Sequence, residues 1–243
     1  MLTPEELKRY DRQIMIKGLG KSGQEKLKNT TAFIAGAGGL GSPSSIYLAA
    51  AGIGRLRIVD NDVVDLSNLN RQILHGDEDI GKKKVISAEA KLTSLNPHVQ
   101  IDAICETITE ENIFELLKGC DLIVDAMDNF ETRYLLNRAA IKNNIPFFHG
   151  GVYGFEGRAM SIIPRESACL RCVFPKAPPK EKFPVIGVAP GVIGCIQASE
   201  VIKYVLGLGD LLKNRLLIYD GLSSTFSEIE IRRDIKCDDC GNY

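Results

Sequence analysis

The sequence predicts an α/β fold built on one mixed β-sheet, with helices on both faces. Up to about residue 150, short apolar runs typical of strands alternate with longer segments of helical spacing, which favours a parallel, doubly wound sheet. From about residue 151, glycine-spaced β-like runs surround one clear helix, so we expect antiparallel strands that extend the same sheet. The 243 residues, 44% of them hydrophobic, suffice for one substantial core, and we expect a single domain over residues 1–243.

The predicted elements divide the chain into three parts. Residues 1–29 carry helical spacing with a glycine break, and residues 30–150 carry the strand–helix alternation. The elements of the second part are a β-α-β unit over 31–62, the helix and strand of GKKKVISAEAKLTSLNPHVQIDAI, the strand CDLIVDAMDN, the helix FETRYLLNRAAIKNN and the strand IPFFHG. In residues 151–243 the strands are GRAMSIIP, NRLLIYDG and TFSEIEIRR, and the helix is GVIGCIQASEVIKYVLGLG. The proline-rich segment 175–184 is predicted to be a surface loop.

The charge and hydropathy of the chain argue against two classes of partner. The 30 basic and 31 acidic residues nearly cancel, so no overall positive field attracts nucleic acid or an anionic membrane. No apolar run reaches the roughly 18 residues of a membrane helix, and the start MLTPEELKRY lacks the pattern of an export signal. We therefore expect a cytoplasmic enzyme or binding protein, with neither nucleic acid nor membrane as a partner.

The segment TAFIAGAGGLGSPSSIYLAAAGIGRLRIVDND reads as a strand, a glycine turn, a helix and a second strand that ends in an acid. Gly36, Gly38 and Gly41 take the places of a G-x-G-x-x-G motif, which lets the backbone turn tightly and approach a phosphate. Asp60 follows Gly41 by 19 positions and is placed to accept hydrogen bonds from ribose hydroxyls. The pattern predicts a nucleotide site in a Rossmann-like fold, whereas the glycines alone would indicate only a tight turn.

The polar residues that follow favour a triphosphate over NAD. Asn68, Arg71 and a lysine cluster that ends at Lys84 come after the ribose acid. Guanidinium and ammonium groups can offset the charge of the phosphates and stabilise pyrophosphate as it leaves.

A triphosphate also needs an acid to hold Mg²⁺. Asp128 lies just beyond the carboxyl end of a predicted strand, where open α/β sheets bind their ligands. Asp125 and Asp121 could compete for this role, although Asp121 is expected to begin the strand.

Four of the seven cysteines form two Cys-x-x-Cys pairs, Cys169 with Cys172 and Cys237 with Cys240. Four thiolates in two chelating pairs are the usual makeup of a closed structural zinc site. The 64 positions between the pairs mean that the metal would join two distant segments. Reduced, unliganded pairs or two small disulfides are the alternatives.

Taken together, the motifs RYDRQ, GAGGLGS, VDNDVVDLSNLNRQ, GKKK and DAMDN and the cysteine pairs resemble the MoeB, ThiF and HesA proteins, relatives of ubiquitin-activating enzymes. The resemblance runs from about residue 7 to residue 240, in the family's order. It implies an adenylyltransferase that uses ATP and Mg²⁺ to activate the C-terminal glycine of a small ubiquitin-like sulfur carrier and releases pyrophosphate. In this family such carriers serve molybdopterin synthesis, thiamine synthesis, tRNA thiolation or protein tagging, and the sequence does not say which. The resemblance also places structural Zn²⁺ at the four cysteines.

Residue by residue, the resemblance lays a nucleotide along the glycine turn and the loops that follow. The nucleotide-binding residues it implies are Gly36, Gly38, Gly39, Gly41, Asp60, Ser67, Asn68, Leu69, Asn70, Arg71, Lys84, Asp128 and Asn129. Within this set Asp128 would hold Mg²⁺, and Asn68 and Arg71 would contact phosphates. The catalytic residues it implies are Arg12, Arg71, Lys84 and Asp128.

The resemblance further implies protein partners. Arg12 matches an arginine that family dimers insert into the partner's active site, so a homodimer is expected. The other partner is the carrier, which ends in Gly-Gly and is expected to bind in residues 151–243. We expect the loop over 175–184 to become ordered when the carrier's tail threads beneath it. Because the sequence contains no fused sulfurtransferase domain, a separate sulfur donor is expected.

Some relatives hold the activated carrier on a further cysteine, which is missing here. The corresponding stretch, KEKFPVIGVAPGVIG, contains none. Cys195, just inside the next helix, is expected to be buried and unreactive, which favours adenylation without an enzyme thioester. His149 is expected to pack or to support a turn, and His75 and His98 are expected at the surface.

Three alternatives stay open at this point. An NAD-dependent oxidoreductase is supported only by the glycine motif and Asp60, and it leaves Arg71, Lys84 and Asp128 without a purpose. Adenylation of a different carboxylate, on tRNA or at a peptide terminus, keeps the site and changes the acceptor, although the near-neutral charge argues against tRNA. A non-catalytic binding module would lack the catalytic arginine or aspartate, and this chain keeps both.

Overall fold

The computed structural model describes residues 1–178 and 183–241, and its centre is one eight-stranded sheet. The strands are β1 Thr31–Ala35, β2 Arg55–Val59, β3 Gln100–Ile104, β4 Leu122–Asp125, β5 Phe147–Tyr153, β6 Glu156–Ile162, β7 Arg215–Asp220 and β8 Thr225–Glu230. Their order across the sheet is β3-β2-β1-β4-β5-β6-β7-β8. The strands from β3 to β5 are parallel, and those from β5 to β8 are antiparallel. The predicted mixed sheet is thus confirmed.

Helices cover both faces of this sheet, as predicted. They are α1 Pro4–Arg9, α2 Asp11–Ile14, α3 Gly20–Lys28, α4 Gly41–Ala51, α5 Lys84–Leu95, α6 Ile113–Leu116, α7 Phe130–Asn143, α8 Leu170–Val173 and α9 Val188–Leu206. One core packs α3, α4, α5 and α9 on one face, and a second packs α6, α7 and α8 on the other. Phe33 and Ile34 are neighbours in β1 and enter opposite cores, as the two-residue period of a strand requires. Across the described residues, no helix has both the length and the apolar character of a membrane span.

Local sequence explains where the main helices begin and end. The side chain of Asn129 accepts a hydrogen bond from the amide of Thr132 at 2.9 Å and so caps the first turn of α7. Gly52, with a φ of +84°, ends α4, and Gly207, with a φ of +67°, ends α9. β5 continues past the predicted IPFFHG to Tyr153, because its last residues pair with β6.

The strand order predicts where the sheet has a ligand-binding crevice. β1 lies between β2 and β4, so the loops after β1 and β4 diverge at the carboxyl edge of the sheet, which is where doubly wound folds bind ligands. These loops are the glycine turn over 36–40 and the segment 126–129. The two loops lie close together where they leave their strands, since a Cβ added to Gly36 would lie 2.9 Å from the Ala126 carbonyl oxygen. The topology therefore brings the glycine turn and the Asp128 loop to one edge.

α9 packs across the start of α4 at this edge of the sheet. A Cβ on Gly194 would lie 2.5 Å from Pro43 Cγ and 2.7 Å from the Leu40 carbonyl oxygen. Just before α9, a Cβ on Gly187 would overlap the carbonyl oxygen of Asn70. The glycines let α9 approach both the start of α4 and the loop that carries Arg71.

Candidate functional site

The glycine turn lies in the crevice and leads into α4. Gly36 has a φ of +102°, and a Cβ on Gly41 would overlap the Gly36 carbonyl oxygen, so both positions require glycine. Gly38 is less confined, since a Cβ there would have Gln72 Nε2 at 3.6 Å as its nearest neighbour. The amides of Gly38 and Gly39 donate no hydrogen bond to any residue within 1–178 or 183–241. Such free amides at a helix start can receive phosphate oxygens.

Two side chains hold the Ala37 residue of this turn. Asp60 Oδ2 accepts the Ala37 amide at 2.8 Å, and His75 Nε2 lies 2.9 Å from the Ala37 carbonyl oxygen. His75 Nδ1 lies 2.8 Å from Ser87 Oγ in α5. The surface position expected for His75 is wrong, because the side chain is only 7% exposed and joins the turn to α5. Burial lowers the pKa of His75, so its ring is neutral at pH 7 and donates the Nε2 hydrogen to Ala37.

Lys84 begins α5 and is paired with a carboxylate near the end of β2. Its Nζ lies 2.9 Å from Asp62 Oδ2, and the Asp62 amide donates to Asp60 Oδ1 at 2.8 Å. The Lys84 side chain is 6% exposed, whereas that of Asp62 is 63% exposed. Asp62 can return to water at little cost, so Lys84 is able to exchange this partner for a phosphate.

Arg71 borders the glycine turn from the segment that follows the 3-10 turn Leu66–Asn68. A Cβ on Gly39 would lie 3.7 Å from Arg71 Cγ. The guanidinium folds back on its own loop, where Nη1 donates to the Ser67 carbonyl oxygen at 2.8 Å and to Asn70 Oδ1 at 3.0 Å. These partners are neutral, so a phosphate would be a stronger acceptor for the same guanidinium.

Gln72 is a polar residue of the crevice that the sequence analysis missed. It is 5% exposed, its carboxamide faces Gly38, and its Oε1 is buried without a hydrogen-bond partner among the described residues. An unsatisfied buried amide costs free energy, and a ligand at the turn could satisfy it. The only signal in the sequence was its place directly after Arg71.

Asp128 lies in the loop between β4 and α7 and is exposed. Its neighbour Asn129 caps α7, and Asn129 Nδ2 lies 3.5 Å from Asp128 Oδ1. The cap fixes the backbone next to Asp128, while the carboxylate stays open to a cation.

The other two acids that competed for this role are engaged elsewhere. Asp125 is fully buried, with Oδ2 lying 2.7 Å from His149 Nδ1 and 3.5 Å from Arg133 Nε. Asp121 precedes β4 at its amino end and accepts the amide of Thr31 at 2.8 Å. His149 is a packed core residue, and burial lowers its pKa. Of the three acids, Asp128 is the one whose carboxylate is free at the crevice.

Arg12 lies far from this crevice within its own chain. It is exposed on α2 and has no hydrogen bond or ion pair with the residues that the structure describes. The adjacent Gln13 donates to the Ala51 carbonyl oxygen at 2.8 Å, at the far end of α4 from the glycine turn. The eleven residues of α4 span about 16 Å, which is beyond the reach of an arginine side chain.

The two cysteine pairs come together beside the middle of α7, where Asn137 contacts the residues next to Cys169 and Cys240. All four Sγ atoms lie within 4.8 Å of one another, at 3.6 Å for Cys169 and Cys237, 3.5 Å for Cys172 and Cys240, and 3.9 Å for Cys169 and Cys172. These separations exclude disulfides, whose sulfurs lie about 2 Å apart. A tetrahedral zinc ion with bonds of about 2.3 Å separates its sulfurs by about 3.8 Å. The donors and their spacing therefore fit zinc.

Cys195 lies in α9 and is half-buried, so the expected core position is correct only in part. Burial raises the pKa of its thiol, which leaves less of the reactive thiolate. His98 is also partly buried, with Nε2 lying 3.4 Å from Glu5 Oε1. Residues 179–182 of the loop expected to close over the carrier's tail lie outside the described residues.

Known proteins are similar to this chain in sequence and in fold. The ThiF family matches residues 10–240. The SAMP-activating enzyme E1 of Haloferax volcanii is 43% identical over 99% of this chain and 91% of its own length. The sulfur carrier protein adenylyltransferase of Thermus thermophilus is 42% identical over 99% of this chain and 93% of its own length. The crystal structure of E. coli MccB with MccA-N7isoASN has the same fold, with a TM-score of 0.87 and 23% identity over 97% of this chain and 75% of that chain.

Proposed function

The chain belongs to the ThiF family, and on this premise we propose that it adenylates the C-terminal glycine of a small ubiquitin-like sulfur carrier with ATP and releases pyrophosphate. Two relatives that align with nearly the whole chain are named for activating a SAMP and a sulfur carrier protein. One observation carries the proposal: a glycine turn with free amides, a buried lysine and an exposed aspartate meet at one edge of the sheet. An oxidoreductase would have no use for the lysine and the aspartate.

The phosphates of ATP would be held by the glycine turn and two cations. The amides of Gly38 and Gly39 and the start of α4 offer hydrogen bonds. Arg71 would leave the neutral carbonyl of its own loop, because a charged phosphate oxygen is a better acceptor. Lys84 would leave Asp62, because this exposed carboxylate returns to water at little cost. Asp60 would accept a ribose hydroxyl with the lone pairs that its two backbone contacts leave free.

The reaction is a displacement at the α-phosphorus of ATP. A carboxylate oxygen of the carrier's terminal glycine bonds to this phosphorus, and the bond to the oxygen of the leaving pyrophosphate breaks. Mg²⁺ held by Asp128 would compensate the charge of the phosphates. Lys84 and Arg71 would stabilise the charge that develops on pyrophosphate. The product is an acyl-adenylate. In a later step a separate donor would supply sulfur to its acyl carbon and AMP would leave, without a thioester on Cys195.

We also propose that Cys169, Cys172, Cys237 and Cys240 bind a structural zinc ion. Four sulfur ligands with no open position are typical of structural rather than catalytic zinc. Reduced thiols and a need for ATP agree with a cytoplasmic location.

A homodimer would complete the active site. The exposed apolar surface includes Met15 and Ile16, just after Arg12 in the sequence, Tyr47 on α4, Ile73 before α5, and Ile86 and Leu95 on α5. Arg9 Nη1 donates to the Leu95 carbonyl oxygen at 3.1 Å, so the first helices adjoin the Leu95 end of this apolar surface. A second copy that covers it would remove the apolar area from water and bring Arg12 to the other protomer's crevice.

Carrier-dependent exchange between ATP and pyrophosphate tests the function directly. Small ubiquitin-like proteins ending in Gly-Gly from the same genome are offered as substrates. We expect exchange with at least one carrier, and a loss of about 100-fold or more in Asp128→Ala, because one group that stabilises the transferring phosphates is removed.

Asp121→Ala is the matched control, since Asp121 lies at the opposite end of β4 from the crevice and the variant should exchange normally. Exchange that survives Asp128→Ala would contradict the assigned site. If the protein binds ATP but no carrier supports exchange, the acceptor is a different carboxylate, and peptides and tRNA that bears a free carboxylate become the substrates to try.

A further inference from the structure

One carboxamide of α7 contacts the turns that carry both cysteine pairs. Asn137 is fully buried, and its Oδ1 accepts the amide of Leu170 at 3.0 Å, directly after Cys169. Its Nδ2 donates to Asp239 Oδ2 at 2.7 Å, directly before Cys240. A single side chain from a third segment therefore joins two turns that are distant in the sequence.

The carboxylate of Asp239 connects the pairs a second time. It is 4% exposed, and its Oδ1 lies 3.2 Å from Arg171 Nε. Arg171 lies between Cys169 and Cys172 in the sequence. The Arg171 guanidinium in turn lies 4.0 Å from the ring centroid of Tyr134, another residue of α7. The turn that carries Cys237 and Cys240 is thus held both by α7 and by the turn that carries Cys169 and Cys172.

From these contacts we propose that Asn137 is a positioning residue that assembles the two cysteine pairs and keeps the metal in place. Four thiolates crowded within 4.8 Å repel one another until a cation binds. The neutral Asn137 side chain holds the turns together without adding a charge of its own. It accepts a hydrogen bond from the Leu170 amide and donates a charge-assisted one to the Asp239 carboxylate. Contacts of this outer kind typically change metal affinity by about 10- to 100-fold. The inference rests on the zinc site proposed above.

A purely structural role for Asn137 makes a different prediction. If the side chain only satisfied buried polar groups, its loss would lower stability without a specific effect on metal retention. The decisive readout is therefore the rate at which zinc leaves the folded protein, together with recovery when the hydrogen bond is rebuilt with its donor and acceptor exchanged.

The test uses the full chain loaded with zinc and a colorimetric chelator in excess. Asn137→Asp keeps the shape of the side chain but replaces the donor facing Asp239 with an oxygen. We expect zinc transfer about 10 to 100 times faster than in the parent. The double variant Asn137→Asp with Asp239→Asn restores a donor–acceptor pair and the original net charge, and we expect its rate within about threefold of the parent.

Asn143→Asp is the matched control, since Asn143 is exposed at the end of the same helix and, among the residues that the structure describes, its Nδ2 bonds only to the Ala139 carbonyl oxygen. It should retain zinc like the parent. Parental retention in Asn137→Asp, or a double variant that stays fast, would overturn the inference. If Asn137→Asp alone does not fold, the double variant decides, with slow release supporting the inference and fast release refuting it.

Failure of the zinc proposal itself gives a separate result. A parent protein that contains no zinc when purified, and takes up none, refutes the zinc site. The positioning role is then read from maleimide labelling of the metal-free protein. Faster labelling of Cys237 and Cys240 in Asn137→Asp, reversed in the double variant, supports it, and equal labelling in the three proteins refutes it.

Discussion

Several residues of the crevice serve the fold and the proposed ligand together. Asp60 accepts the Ala37 amide with one carboxylate oxygen and the Asp62 amide with the other. A ribose hydroxyl would therefore share an acceptor that already shapes the glycine turn. Substitution of Asp60 should change the geometry of the phosphate-binding amides as well as the ribose contact, so its effect on ATP affinity cannot be assigned to the ribose alone.

Two buried histidines should make stability depend on pH. Burial lowers the pKa of His75 and of His149 in the folded protein, whereas an unfolded histidine titrates near 6.5. Below about pH 6.5 the unfolded chain therefore binds more protons than the folded one. The contribution of the two histidines to the free energy of unfolding is present above that pH and is lost as the pH falls. We expect the free energy of unfolding to decrease by up to about 1.4 kcal/mol per histidine between pH 7.5 and pH 5.5.

Urea unfolding at the two pH values measures this decrease. In His75→Gln the decrease in the free energy of unfolding should be smaller by the amount that one histidine contributes. This holds whatever the absolute stability of the variant. The same decrease in parent and variant would show that His75 does not resist protonation in the fold.

Sequence reasoning reached residues whose role depends on the local chain and missed those whose role depends on packing. Gly36 and Gly41 were identified because a tight turn before a helix requires them at fixed spacing. His75 and Gln72 were not, because their burial arises only when α5 and the segment after Arg71 pack against the turn. Asn137 gave no signal either, since its two partners lie in segments far along the chain.

At the scale of elements, the crossing of α4 and α9 depends on one glycine. A Cβ on Gly194 would press on Pro43 and on the Leu40 carbonyl oxygen. A Cβ on Gly191, in the same helix, would meet no described atom within 4 Å outside the backbone of its own helix. We expect Gly194→Ala to lower the free energy of unfolding by about 2 kcal/mol and to weaken ATP binding, because Leu40 ends the glycine turn.

Gly191→Ala is the paired control and should raise the free energy of unfolding by about 0.5–1 kcal/mol, since alanine favours the helix over glycine. Urea unfolding and nucleotide titration of both variants provide the measurements. Equal effects of the two substitutions would mean that the crossing adjusts to an extra methyl group.

Long elements with a strong period were predictable, and short ones were not. The β-α-β unit of β1, α4 and β2 and the helix α9 lie where the sequence predicts them. The four-residue helices α6 and α8 were absent from the prediction, because a single turn has no period to detect and forms only in its packed context. The strand order was also beyond the sequence, since it depends on which strands pair across the sheet.

At the scale of the whole molecule, the separation of Arg12 from its own crevice makes the proposed dimer testable. Arg12→Ala and Asp128→Ala should each be inactive alone. In a mixed dimer, one site combines the intact Arg12 of one protomer with the intact Asp128 of the other. Equal mixing with subunit exchange should therefore restore about a quarter of the parent's exchange activity.

The control pair is Asp128→Ala mixed with Lys84→Ala. Both residues would act in the crevice of one protomer, so no mixed dimer contains an intact site and activity should stay absent. Recovery in this control, or none in the first mixture despite subunit exchange, would rule out an arginine supplied by the partner.

The distance in sequence between the cysteine pairs has a consequence for biosynthesis. Cys169 and Cys237 are 68 residues apart, and at about 5–20 residues per second the ribosome makes the second roughly 3–14 s after the first. α9, β7 and β8 are all translated in this interval. A metal ion captured early by the first pair would keep two coordination positions open to exchange. For the proposed zinc site, selection of the correct metal would therefore belong to a late step of maturation, after the sheet has its last strand.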